Sequence, residues 1–165
     1  MRKGALAMTG VGIALLFAAA ALAAGELAGL ERLKALAGEW EGKNKSGETA
    51  RAVYEITANS TAVVEKLSVG PMETMVTVYH ADGDSLMMTH YCGTGNQPRM
   101  RAEQTHAPGM LLFKFADATN LASPENGHMH NLALTFAGTD RLKQVWTWRE
   151  KGQDRDEVIE LARKK

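Results

Sequence analysis

What most restricts this chain is how little sequence separates its apolar stretches. From Gly38 onward, runs of alternating apolar and polar residues are divided by Asn59-Ser60, Gly70-Pro71, Asp82-Gly83-Asp84, Pro108-Gly109, Gly138-Thr139-Asp140 and Lys151-Gly152, all turn-forming in composition. A parallel crossover needs a dozen or more residues, so connections this short make sequential strands antiparallel. The period-2 pattern predicts strands over Glu39 to Lys45, Ala50 to Thr57, Ala62 to Val69, Thr74 to His80, Ser85 to Cys92, Pro98 to Gln104, Met110 to Phe115, His128 to Phe136, Leu142 to Arg149 and Asp156 to Leu161. The one long irregular stretch is Asp117 to Gly127, expected as a lid or a strand-to-strand loop. Leu27, Leu30, Leu33, Ala35 and Leu36 recur at helical spacing ahead of Gly38 and predict one short N-terminal helix.

Leu132, Leu134 and Phe136 share one strand face, as do Leu142, Trp146 and Trp148. One buried and one solvated face, repeated along a meander, is satisfied by closing the sheet on itself and removing its edges. The expected fold is therefore all-β: an up-and-down antiparallel β-barrel of about 8–10 strands. A two-sheet sandwich competes, but Greek-key sandwiches need longer crossovers than this chain supplies.

The chain opens with Arg2 and Lys3, continues through an apolar Ala-rich and Leu-rich stretch from about Val11 to Ala24, and reaches Ala21-Leu22-Ala23. That order of charge, apolar segment and small-residue cleavage site is a signal peptide over 1–24, ahead of a single domain over 25–165. A spanning helix needs about 20 strongly apolar residues, so no stable membrane anchor is expected after cleavage, and the mature protein is expected to be periplasmic or secreted. Cys92 is the single cysteine, so no internal disulfide forms and burial must hold the fold. Without Arg2 and Lys3, 17 basic residues face 19 acidic ones. This balance lacks the basic footprint of a nucleic-acid-binding protein.

Gly38-Glu39-Trp40, at the handover from helix to first strand, resembles the G-x-W signature of the calycins, which include lipocalins, fatty-acid-binding proteins and nitrobindins. The resemblance implies that Trp40 packs across the barrel floor beneath a basic residue from a late strand, for which Arg149 is the best match. Gly38-Glu39-Trp40-Glu41-Gly42 also begins like the glycine-rich opening of nitrobindins, but no His follows His130, whereas their haem-ligating His lies near the C-terminus. The segment from Thr89 to Met100 is similar to one in small exported bacterial proteins without known activity.

Two pairs offer metal-ligand chemistry, His90-x-Cys92 and His128-x-His130. Residues two apart on a strand share a face, and continuing the phase of Leu86 and Met88, or of Leu132 and Leu134, points all four inward at one rim. N and S donors there would suit zinc or copper; the alternative is a hydrogen-bonded polar cluster without metal. Around the Gly93 to Pro98 turn, Tyr91, Asn96, Gln97, Arg99 and Arg101 are candidates for holding a polar ligand head at the barrel mouth, or else they satisfy the turn and solvate an outer face. Met88 and Leu134 are candidates for an apolar cavity wall, within a methionine-rich chain suited to adaptable packing. Trp40 and at least one of Trp146 and Trp148 are expected to be buried in the same core, with all three in structural roles.

The function expected from these features is binding of a small hydrophobic or amphipathic molecule inside the barrel, with the cofactor unspecified. An enzyme using His90, Cys92, His128 and His130, and a structural envelope protein with a filled core, are the alternatives.

Overall fold

The computed structural model describes residues 29–103, 105, 107 and 109–165. The expected signal peptide and the first residues of the expected helix lie outside them. Ten strands form one closed barrel: β1 (Gly38–Asn44), β2 (Thr49–Thr57), β3 (Ala62–Val69), β4 (Met75–Asp82), β5 (Ser85–Tyr91), β6 (Gln97–Glu103), β7 (Met110–Thr119), β8 (His128–Phe136), β9 (Arg141–Glu150) and β10 (Gln153–Arg163). Each is antiparallel to the next, and β1 pairs with β10 to complete the ring. The up-and-down order follows from the short turns. Closure follows from the last strand, which runs along β1 from Trp40 opposite Arg163 to Asn44 opposite Ile159.

Gly42 permits that seam, because a Cβ there would collide with the Glu160 carbonyl on the neighbouring strand. β7 is longer than its sequence pattern predicts. Asp117 lies opposite Arg99 and Thr119 opposite Gln97, so pairing continues beyond Phe115 across a register shift. The irregular stretch accordingly shrinks to the residues between Thr119 and His128.

The two ends of the barrel differ. The helix over 29–34 closes one end, burying Leu30, Leu33 and Leu36 against the interior. Trp40 Nε1 donates to the Leu36 carbonyl at 2.7 Å and the ring is 2 % exposed. Its cationic cover is Arg163, not Arg149: the Arg163 guanidinium carbon lies 4.4 Å from the Trp40 ring centroid. Arg163 also donates to the Ala37 and Ala35 carbonyls at 2.8 and 2.7 Å, satisfying acceptors at the helix end. Arg149 lies at the other end of its strand and pairs with Asp154. Met88, Met100, Phe113, Leu132 and Leu134 are fully enclosed in the apolar core.

Candidate functional site

The end opposite the helix is hollow. A cavity of about 620 Å³ opens there, walled by Leu67, Val69, Met75, Met129, Trp146, Trp148 and Ile159. Asn44, Ser46, Glu48, Glu73, Thr94, Arg155 and Glu157 contribute polar groups, while His90 and Cys92 also line it. The volume falls in the range of pockets that enclose small organic molecules. Gly127 shapes one wall, because any Cβ there would run into the Trp148 ring.

Beside the cavity a row of polar side chains crosses the inner face of four strands. Tyr54, Glu65, Thr77 and His90 are successive cross-strand partners on β2, β3, β4 and β5. Glu65 is completely buried. It accepts from the Tyr54 hydroxyl at 2.7 Å, from the Tyr79 hydroxyl at 2.8 Å and from Gln144 Nε2. Gln144 in turn accepts from Trp146 Nε1 at 2.9 Å, which anchors a cavity-wall ring to the network. Burial raises the Glu65 carboxyl above its usual range, and the hydrogen bonds from Tyr54, Gln144, Tyr79 and Thr77 oppose that rise. Burial, reinforced by Glu65, raises both tyrosine hydroxyls well above their ordinary values.

His90 ends the row. Its Nδ1 meets Thr77 Oγ1 at 2.9 Å, its ring packs 4.6 Å from Trp146, and only 1 % of it is exposed. Its Nε2 is buried and has no hydrogen-bond partner among the described residues. Burial lowers the His90 pKa to about 4, so the ring is neutral at pH 7.

That shift gives stability a pH dependence. An unfolded His titrates near pH 6.5, so between there and about 4 the unfolded chain binds the proton that folded His90 refuses. Stability from neutral His90 is present above pH 6.5 and lost as the pH falls toward 4. Raised Glu65 acts in the opposite sense above its own unfolded value, and comparison with His90→Phe largely cancels its contribution. Between pH 7 and 4, the wild type should lose about 3 kcal/mol relative to His90→Phe in urea melts. A difference that stays flat with pH would contradict a neutral buried His90.

The structure places the expected metal residues in two separate settings. His90 and Cys92 line the cavity, and the start of β8 reaches the same rim, as strand order predicts. His128 and His130 do not join them. A register shift between Met129 and Asn131 breaks the alternation on β8, so Met129 takes the cavity position opposite Trp148. The two imidazoles pack against Phe115 instead. They form a hydrogen-bond chain in which Arg149 Nη1 donates to His130 Nε2 at 2.6 Å, His130 Nδ1 to His128 Nε2 at 3.2 Å, and His128 Nδ1 to the Asn126 carbonyl at 2.8 Å. Every ring nitrogen of the pair is engaged. Burial, then Arg149, lowers the His130 pKa, in keeping with a neutral acceptor. Among the described residues, no group of three or more His, Cys, Asp and Glu side chains is placed to hold a metal ion.

The residues expected at the mouth also lie elsewhere. Tyr91 is exposed, and Arg99 and Arg101 form outer ion pairs with Asp117 and Asp82. Gln97 accepts from Thr119 and Asn120, while Asn96 donates to the Gly127 carbonyl at 2.9 Å and ties two loops together. Met88 and Leu134 belong to the packed core and not to the cavity wall. Strand alternation accounts for the outward arginines, since Met100 between them takes the inner face.

Sequence reasoning missed Glu65, Tyr54, Tyr79 and Gln144. The signal was present for the first and last: Glu65 is in phase with Val63, Leu67 and Val69, and Gln144 with Leu142 and Trp146. A polar residue on an otherwise apolar phase marks a buried network when each group finds a partner.

No family model matches the chain, and no curated protein matches it. Among solved structures it is similar to Rv2717c from M. tuberculosis, with a TM-score of 0.56 and 14 % identity over 82 % of this chain and 97 % of that one. At that identity the likeness concerns the barrel fold.

Proposed function

We propose that this protein is an exported, calycin-like carrier or receptor that holds one small, largely apolar molecule in the open end of its barrel. The observation that carries the reading is the roughly 620 Å³ cavity, walled by Trp146, Trp148, Met75, Met129 and branched aliphatic side chains and lined also by His90, whose buried Nε2 has no partner among the described residues. An apolar pocket with a few oriented polar groups is the usual form of a small-molecule site. The barrel is packed solid only toward the helix, which disfavours a purely structural role with a filled interior. Thioether walls suit a ligand whose shape the pocket must accommodate by small rearrangements.

The test is titration with Nile red, a neutral dye whose emission reports an apolar environment. One saturable site per folded chain is expected, lost on unfolding. Absence of saturable binding by this dye and by other neutral apolar probes would contradict the reading.

A further inference from the structure

We propose that the cavity floor is a docking site for a neutral hydroxyl or phenol, so that the ligand enters head first and donates its O–H to His90 Nε2. This rests on the cavity being the ligand site and specifies the chemistry of what enters.

One imidazole nitrogen of His90 is engaged by the polar row and the other faces none of it. Glu65 accepts from Tyr54, Tyr79 and Gln144, and the Thr77 hydroxyl meets His90. Thr77 Oγ1 lies 2.9 Å from His90 Nδ1, and we place the imidazole proton on that nitrogen, with Thr77 accepting. His90 Nε2 is then an unprotonated acceptor on a residue lining the cavity, buried and without a partner among the described residues. Leaving a buried acceptor unsatisfied is unfavourable, and a ligand that brings a donor removes that cost.

Charge then narrows the class of ligand. Glu48, Glu73 and Glu157 line the opening against one guanidinium, Arg155, which already pairs with Glu157 at 3.2 Å. Behind the floor stands Glu65. An anionic head would pass an acidic rim, and among the described residues lining the cavity no free cation meets it. A neutral donor meets no such opposition. The Trp146 and Trp148 rings supply flat apolar wall above the floor, which suits a ring-bearing body.

The experiment compares 2-naphthol, naphthalene and 2-naphthoate, three probes of one shape, by fluorescence or calorimetric titration of the full chain. Wild type should bind naphthol about tenfold more tightly than naphthalene, the worth of one well-made hydrogen bond, and naphthoate more weakly than naphthol. His90→Phe should bind naphthol and naphthalene alike. Thr77→Val, which no longer holds the proton on Nδ1, should reduce the preference as well and provides a second variant if His90→Phe fails to fold. Equal binding of naphthol and naphthalene by wild type, a preference that survives both substitutions, or tightest binding of naphthoate would overturn the inference while leaving the cavity reading intact. Failure of all three probes to bind would overturn both.

Discussion

Trp40→Ala is expected to lower the unfolding free energy by about 3–5 kcal/mol, the range for deleting an enclosed aromatic side chain. The ring is 2 % exposed and meets Tyr54 edge-on with centroids 6.5 Å apart. Its removal would leave the Leu36 carbonyl without its donor and Arg163 without the face it covers. Helix, first strand and last strand meet at this residue, so the loss should appear as a lower denaturation midpoint. A loss below about 1 kcal/mol would show that the helix end is not closed as described.

Glu65→Ala should be comparably damaging, for a different reason. The Tyr54 and Tyr79 hydroxyls and Gln144 Nε2 converge on this carboxylate, and truncation leaves buried donors facing a void. Each buried group left unpaired costs about 1–3 kcal/mol, so a total near 3–5 kcal/mol is expected. Glu65→Gln keeps an acceptor oxygen at the same place, and should cost less than half as much. Urea melts of the two variants at pH 7 provide the check. If Glu65→Ala were as stable as wild type, or Glu65→Gln were the worse of the two, the carboxylate would not be the centre of a satisfied network.

The barrel was legible because its information is local. Turn residues and period-2 alternation located all ten strands and their antiparallel order, and the Gly38-Glu39-Trp40 junction marked where helix gives way to sheet. The site was less legible because small irregularities decide it. One register shift on β8 exchanges Met129 for His130 at the cavity, and another on β7 carries the strand on to Thr119, where alternation alone anticipates neither. The cover of Trp40 depends on pairing across the seam, which places Arg163 directly opposite Trp40 and leaves Arg149 at the far rim. Met88 and Leu134 do point inward as alternation predicts. Depth along the barrel then separates packed core from cavity wall, and that coordinate is not written in a single strand.

The most direct test of the binding account is to block the cavity where the structure places it. Met129→Trp adds a large ring at the cavity wall, away from the helix-end core formed by Met88 and Leu134. The account predicts that this variant keeps a cooperative melt while its Nile red binding falls at least about tenfold, a change of roughly 1.4 kcal/mol. Unchanged binding by a folded Met129→Trp protein would contradict the claim that the open end of the barrel is the ligand site.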